Sequence, residues 1–155
     1  MTQNIFKFKT ETKLEEKFRV KATIGKHTFI IDEPQELGGT GKGPNPVELL
    51  LASLASCLII ATSYHAMVKR IKIKSIKAEA EGTLDIRGFI GTDNNVRPGF
   101  QEIKVNLKID SNEPEEKIRE LIEFVEEHCP VRDTLIKGTK ITLNLESRKS
   151  SCCCA

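Results

Sequence analysis

Asn45-Pro46-Val47-Glu48-Leu49-Leu50-Leu51-Ala52-Ser53-Leu54-Ala55-Ser56-Cys57 joins a helix start signal to an apolar run that the fold has to bury. Asn45 reads as a helix N-cap and Pro46 as the first helical residue, where its missing N–H costs nothing. Glu48 stands where its carboxylate can reach back to the cap amide. The helix is predicted to run to about Lys69. From Leu49 to Ala61 it is apolar almost all round, which predicts burial on every side. A chain of 155 residues cannot easily sheath such a helix unaided, so a second copy covering one face is expected.

Upstream, Phe6 to Thr12, Lys17 to Ile24 and Thr28 to Ile31 read as strands, with Phe18, Val20 and Ala22 alternating and a turn at Gly25-Lys26. The Gly/Pro-rich connection from Asp32 to Pro44 reads as a plain loop. Its Gly39, Gly41 and Gly43 match neither the dinucleotide nor the Walker phosphate-binding pattern. Downstream, Ile71 and Ile73, then Ile76 to Leu84, read as a strand, Gly88 to Gly99 as a loop, and Phe100 to Ile109 as a second half-buried strand. Ser111 or Asn112 is read as the cap of a second helix, whose apolar stripe Ile118, Leu121, Ile122, Val125 continues at the same spacing to Cys129. Pro130 ends or restarts that helix, Val131 to Lys137 is read as a short helix closed by Gly138, and Lys140 to Leu145 as a final strand. The order βββαββαβ, with two main helices segregated from an antiparallel sheet, predicts an α+β fold.

Length predicts one domain, over residues 1–147, followed by a disordered Ser/Cys-rich tail at 148–155. A net charge of +2 with both signs interspersed predicts no capture of nucleic acid or of a membrane surface. No stretch is read as reaching the roughly 18 apolar residues of a spanning helix, and the polar N-terminus is unlike a signal peptide. The expected location is therefore cytoplasmic. Cys152-Cys153-Cys154-Ala155 satisfies a C-terminal prenylation pattern only formally, because its middle positions are cysteines and no polybasic segment precedes them.

Two cysteines remain for the domain, and widely separated thiols without a secretory signal point to catalysis or inert burial rather than to a disulfide framework. Cys57 lies in an apolar helix, where desolvation raises a thiol pKa, so a cation or hydrogen-bond donor must oppose burial for it to react. Cys129 would be the N-cap of a helix opened by Pro130, where the helix dipole favours thiolate. From physical chemistry alone Cys129 is the more acidic thiol.

The Asn-Pro-x-Glu-Leu-Leu helix leading to Cys57, with the later Cys129-Pro130-Val131, resembles the OsmC/Ohr family of osmotically induced and organic hydroperoxide resistance proteins. The likeness spans roughly residues 16–146. It implies an OsmC-like fold in an intertwined homodimer and a thiol-dependent peroxidase for organic hydroperoxides or hydrogen peroxide. In such proteins the first cysteine attacks the peroxide and the second resolves the sulfenic acid as a disulfide, roles that would fall to Cys57 and Cys129. No cofactor is implied beyond an external thiol reductant. An apolar pocket from Leu50, Leu54 and the sheet would favour alkyl or lipid hydroperoxides. The chain departs from the hydroperoxide branch at Val47, where a catalytic glutamate would follow the proline, with the acid one residue later at Glu48. Arg19 is the first candidate for the arginine that polarises the thiolate, and Arg132 the second.

His27, His65 and His128 are not spaced with the thiols as a metal cluster and read as surface or packing residues. Two other functions are open: a small-molecule or lipid binding module that kept the fold without the chemistry, which Val47 would suit, and a thiol regulator that cycles without turning over peroxide.

Overall fold

The computed structural model describes residues 4–147, so the tail and its three cysteines lie outside the described residues. Strands β1 (Glu11–Glu16), β2 (Arg19–Ile24) and β3 (His27–Ile31) form an antiparallel sheet in that order. The first strand begins later than predicted. Glu11 pairs with Thr23, and β2 then enters the Gly25-Lys26 turn, so residues before Thr10 run past the end of β2, the strand that pairs with β1. Phe6 and Phe8 are accordingly exposed, Phe8 at 95%. The alternation predicted as continuous from Lys17 is interrupted by a tight turn, in which Lys17 takes a positive φ of 48°.

The loop from Asp32 to Pro44 is built around one carboxylate. Asp32, 1% exposed, accepts N–H bonds from Glu33 at 2.9 Å and from Thr40 and Lys42 at 3.1 Å each, together with the Thr40 hydroxyl. Its own N–H donates to the Pro44 carbonyl at 3.1 Å, closing the loop just before the helix cap. Gly39 and Gly43 are required here by close approach: a Cβ would meet the Glu33 carbonyl oxygen at 1.8 Å and that of Ile30 at 2.2 Å. The Thr40 hydroxyl and then the backbone donors hold the Asp32 carboxyl below its usual range, against the opposing effect of burial. Its folded-state pKa therefore lies below the unfolded value of about 3.9, so the stabilisation is present above that value and is lost as pH falls through the folded pKa. Asp32→Asn is expected to lower the melting temperature at pH 7, with the gap to wild type closing below about pH 4; thermal melts across a pH series check this.

Helix α1 (Pro46–Val68) starts as read: the Asn45 side chain accepts the Glu48 N–H and Glu48 Oε2 accepts the Asn45 N–H, both at 2.8 Å. Two expectations about it are corrected. It is long and apolar enough by composition to span a bilayer, because the scattered Ser and Thr residues do not offset its Leu, Ile and Ala. Within one protomer it is also buried along a single stripe, Leu54, Leu58, Thr62 and Ala66, rather than all round. Thr62 fits that stripe by donating its hydroxyl to the Leu58 carbonyl at 2.7 Å. Leu50, Ile60, Tyr64, Met67 and Val68 face outward.

Strands β4 (Ile73–Thr83) and β5 (Glu102–Ser111) form a separate long antiparallel hairpin, which packs through β4 on α1. Its connection, read as a loop, contains the short helix α2 (Ile86–Ile90), capped by Asp85 and held by ion pairs of Arg87 with Asp85 at 2.6 Å and Asp93 at 3.6 Å. Helix α3 (Glu115–His128) is capped at Pro114 rather than at Ser111 or Asn112, because Ser111 still belongs to β5 opposite Ile73. Leu121 and Val125 of α3 are completely buried against the α1 stripe. Helix α4 (Pro130–Lys137) follows at once and ends at Gly138.

The final strand predicted at Lys140 to Leu145 is not formed. The segment has the right alternation but no strand beside it among the described residues, and Ile141, Leu143 and Leu145 are about nine-tenths exposed. The α+β class stands, with two small antiparallel sheets in place of one. The protomer exposes 13,043 Å², against about 7,800 Å² for a compact monomer of its mass.

Candidate active site

Cys57 and Cys129, 72 positions apart in sequence, meet where three helices join. Cys57 projects from α1 between the buried Leu54 and Leu58 and is itself half-buried. Cys129 is both the last residue of α3's apolar stripe and the extended residue at which α4 begins, with φ −80° and ψ 113°. Pro130 dictates that junction: it has no N–H to continue α3, yet its fixed φ suits the first position of a new helix. The α3 stripe packs on α1, which carries Cys129 down beside Cys57, and both are reduced thiols. Cys129 is 0% exposed, so of the two only Cys57 is open to solvent.

Burial pushes the Cys57 thiol up, the Val131 N–H opposes that rise, and the neighbouring Cys129 thiol adds to it, so the balance lies above the ordinary thiol value. Cys129 is the N-cap of α4, as its place before Pro130 predicts. The Cys129 side chain makes no capping hydrogen bond, and the Val131 N–H in the first turn of α4 lowers the Cys57 thiol pKa against burial.

The other candidates are engaged elsewhere. Arg19 forms ion pairs with Glu16 at 3.1 Å and Glu15 at 3.6 Å across the β1–β2 turn. Arg132 donates to the Glu126 carbonyl at 3.0 Å and pairs with its carboxylate at 3.7 Å. Glu48 is occupied by the capping box. Among the described residues no cation figures in the groups acting on the Cys57 thiol. A cavity of about 380 Å³ lies between α1 and the start of β4, lined by Ile59, Ser63, Met67, Ile71 and Ile76, with neither Leu50 nor Leu54 in its lining.

Sequence reasoning missed an aromatic cluster between α1 and α3. His128 stacks on Phe124 with ring centres 3.9 Å apart, His65 meets the Phe124 edge at 4.9 Å, and the Lys69 ammonium lies 4.1 Å from its ring centre. The signal was the four-residue spacing of Phe124/His128 on α3 and His65/Lys69 on α1, which places each pair on one helix face. No group of three or more metal-ligating side chains occurs among the described residues.

The sequence pattern of OsmC-like proteins matches residues 39–144, which include both thiols. A hydroperoxide reductase of Mycoplasma genitalium is 30% identical over 105 residues, covering 67% of this chain and 70% of that protein. One from Mycoplasma pneumoniae is 31% identical over 106 residues, covering 68% and 72%. The crystal structure of an OsmC-like protein from Mycoplasma pneumoniae superposes with a TM-score of 0.74 at 27% identity, over 89% of this chain and 90% of that one. A match across two thirds of the sequence, on a shared α+β fold, shows that the chain belongs to the OsmC-like protein family.

Proposed function

We propose that this protein is a thiol-dependent peroxidase that reduces organic hydroperoxides or hydrogen peroxide. The observation that carries the reading is the pairing of a half-exposed Cys57 with a buried Cys129 in the same helix junction. A peroxide from solvent reaches Cys57 first. The Cys57 thiolate attacks the distal peroxide oxygen, the O–O bond breaks, and the alcohol, or water from hydrogen peroxide, leaves with a proton. Cys129 then attacks the Cys57 sulfenic acid, water departs, and a Cys57–Cys129 disulfide forms. An external thiol reductant restores both thiols, a requirement that fits the reducing cytoplasm. The hydroperoxide reductases among its relatives support this substrate class.

The working unit is a homodimer. The exposed outer face of α1, the unpaired segment at 140–145 and the excess accessible surface of the protomer all favour an apolar partner of matching shape, which a second copy supplies. The dimer also answers the missing cation, since assembly can bring Arg19, or failing that Arg132, to the Cys57 of either copy. Glu48 acts as a helix cap.

One observation favours a different reading. Val47 at the expected glutamate position, with a Cys57 thiol held above its ordinary value, suits a binding module or a thiol regulator on the same fold. Consumption of an alkyl hydroperoxide with a dithiol reductant separates them. Multiple turnovers per protomer are expected. Binding without consumption would establish the module, and Cys57–Cys129 cycling without turnover the regulator.

A further inference from the structure

We propose that the backbone N–H of Val131, in the first turn of α4, is the hydrogen-bond donor that stabilises the Cys57 thiolate in this chain. The inference rests on Cys57 being the reacting thiol of the function proposed above. The first turn of a helix leaves its N–H groups without intrahelical acceptors. In α4 the first acceptor, the Cys129 carbonyl, is taken by Asp133 at 2.9 Å, and Pro130 has no N–H to offer. That leaves the Val131 and Arg132 amides. The residue that would ordinarily satisfy them from the N-cap is Cys129, and its side chain makes no such bond.

Packing supplies the acceptor. Cys57 and Val131 both pack against the core cluster that contains Cys129, the N-cap of α4, and α1 touches α4, so the open first turn of α4 lies against the part of α1 that carries Cys57. A thiolate there gains a charge-assisted hydrogen bond and the positive end of α4 together. Among the described residues the Val131 N–H is also the one group acting on Cys57 that favours its ionised form, while burial and Cys129 oppose it. A main-chain donor would serve a chain that carries Val47 where a glutamate would otherwise hold an arginine against the sulfur. It also gives the Cys-Pro-Val segment a second use. Cys129 supplies the resolving sulfur, Pro130 opens the helix, and the next residue offers the free amide.

Val131→Pro removes this N–H at a position in the first helical turn where proline is tolerated, and Val131→Ala keeps it while shortening the side chain. The pH dependence of Cys57 alkylation, read by peptide mass mapping, measures thiolate without any peroxide. A failure of turnover is therefore distinct from a failure of this proposal. In Val131→Pro the alkylation midpoint is expected to rise by about one pH unit, or about tenfold slower labelling below the midpoint, with Val131→Ala unmoved. An amide-to-ester exchange at Val131, which deletes only the N–H, is expected to give the same rise and decides the matter if Val131→Pro does not fold. A midpoint that coincides with that of Val131→Ala in the folded N–H-deleted protein would overturn the proposal.

Discussion

Cys57→Ser should reduce hydroperoxide consumption to the uncatalysed rate and leave no sulfenic acid for a trapping reagent. Cys129→Ser should fail differently. With the attacking thiol intact and the resolving one gone, it should react about once per protomer, then stall with trappable sulfenic acid on Cys57 or proceed to irreversible oxidation. The difference follows from geometry, because Cys57 is half-exposed on α1 while Cys129 is sealed behind it at the end of α3. Mass mapping after a single equivalent of peroxide reads both outcomes. First oxidation on Cys129 would reverse the order of attack.

Sedimentation should show a stable dimer at micromolar concentration, with an interface that buries more than about 2,000 Å². Ile60→Glu combined with Met67→Glu places two charges on the outer face of α1, where both side chains are now about two-thirds exposed. In an isolated protomer such substitutions would be nearly neutral. In the expected dimer they desolvate unpaired carboxylates, and dissociation with loss of soluble protein is the predicted result. A well-folded wild-type monomer at that concentration would rule the assembly out. In the assembled protein Arg19→Met should raise the Cys57 alkylation midpoint, whereas Glu48→Gln, which keeps an acceptor for the Asn45 amide, should not.

Local signals with strong physical causes were legible in the sequence. Asn45, Pro46 and Glu48 form the capping box they spell, and the spacing from Ile118 onward puts Cys129 on the buried stripe that brings it to Cys57. Pro130 and Gly138 bound the short helix as read. The misses share a different cause: each depended on what lies alongside. Phe6 to Lys9 alternate polar and apolar residues well enough for a strand but overrun the end of β2, and Ile141, Leu143 and Leu145 have no strand beside them in one protomer. Helix α2 hid in a Gly-rich stretch because it depends on Asp85 and Asp93 clamping Arg87, a contact that periodicity does not carry. The candidate site divides the same way. Its two thiols were readable from their helical contexts, but the direction in which α4 offers its free amide was not, because that depends on how α1, α3 and α4 pack.

The most direct test adds one equivalent of an alkyl hydroperoxide to the reduced wild-type protein, then maps the thiols by mass spectrometry and quantifies the alcohol released. The predicted result is one alcohol per protomer and a Cys57–Cys129 disulfide that a dithiol reverses. Unconsumed hydroperoxide, with Cys57 and Cys129 both still free to alkylate, would contradict the peroxidase reading.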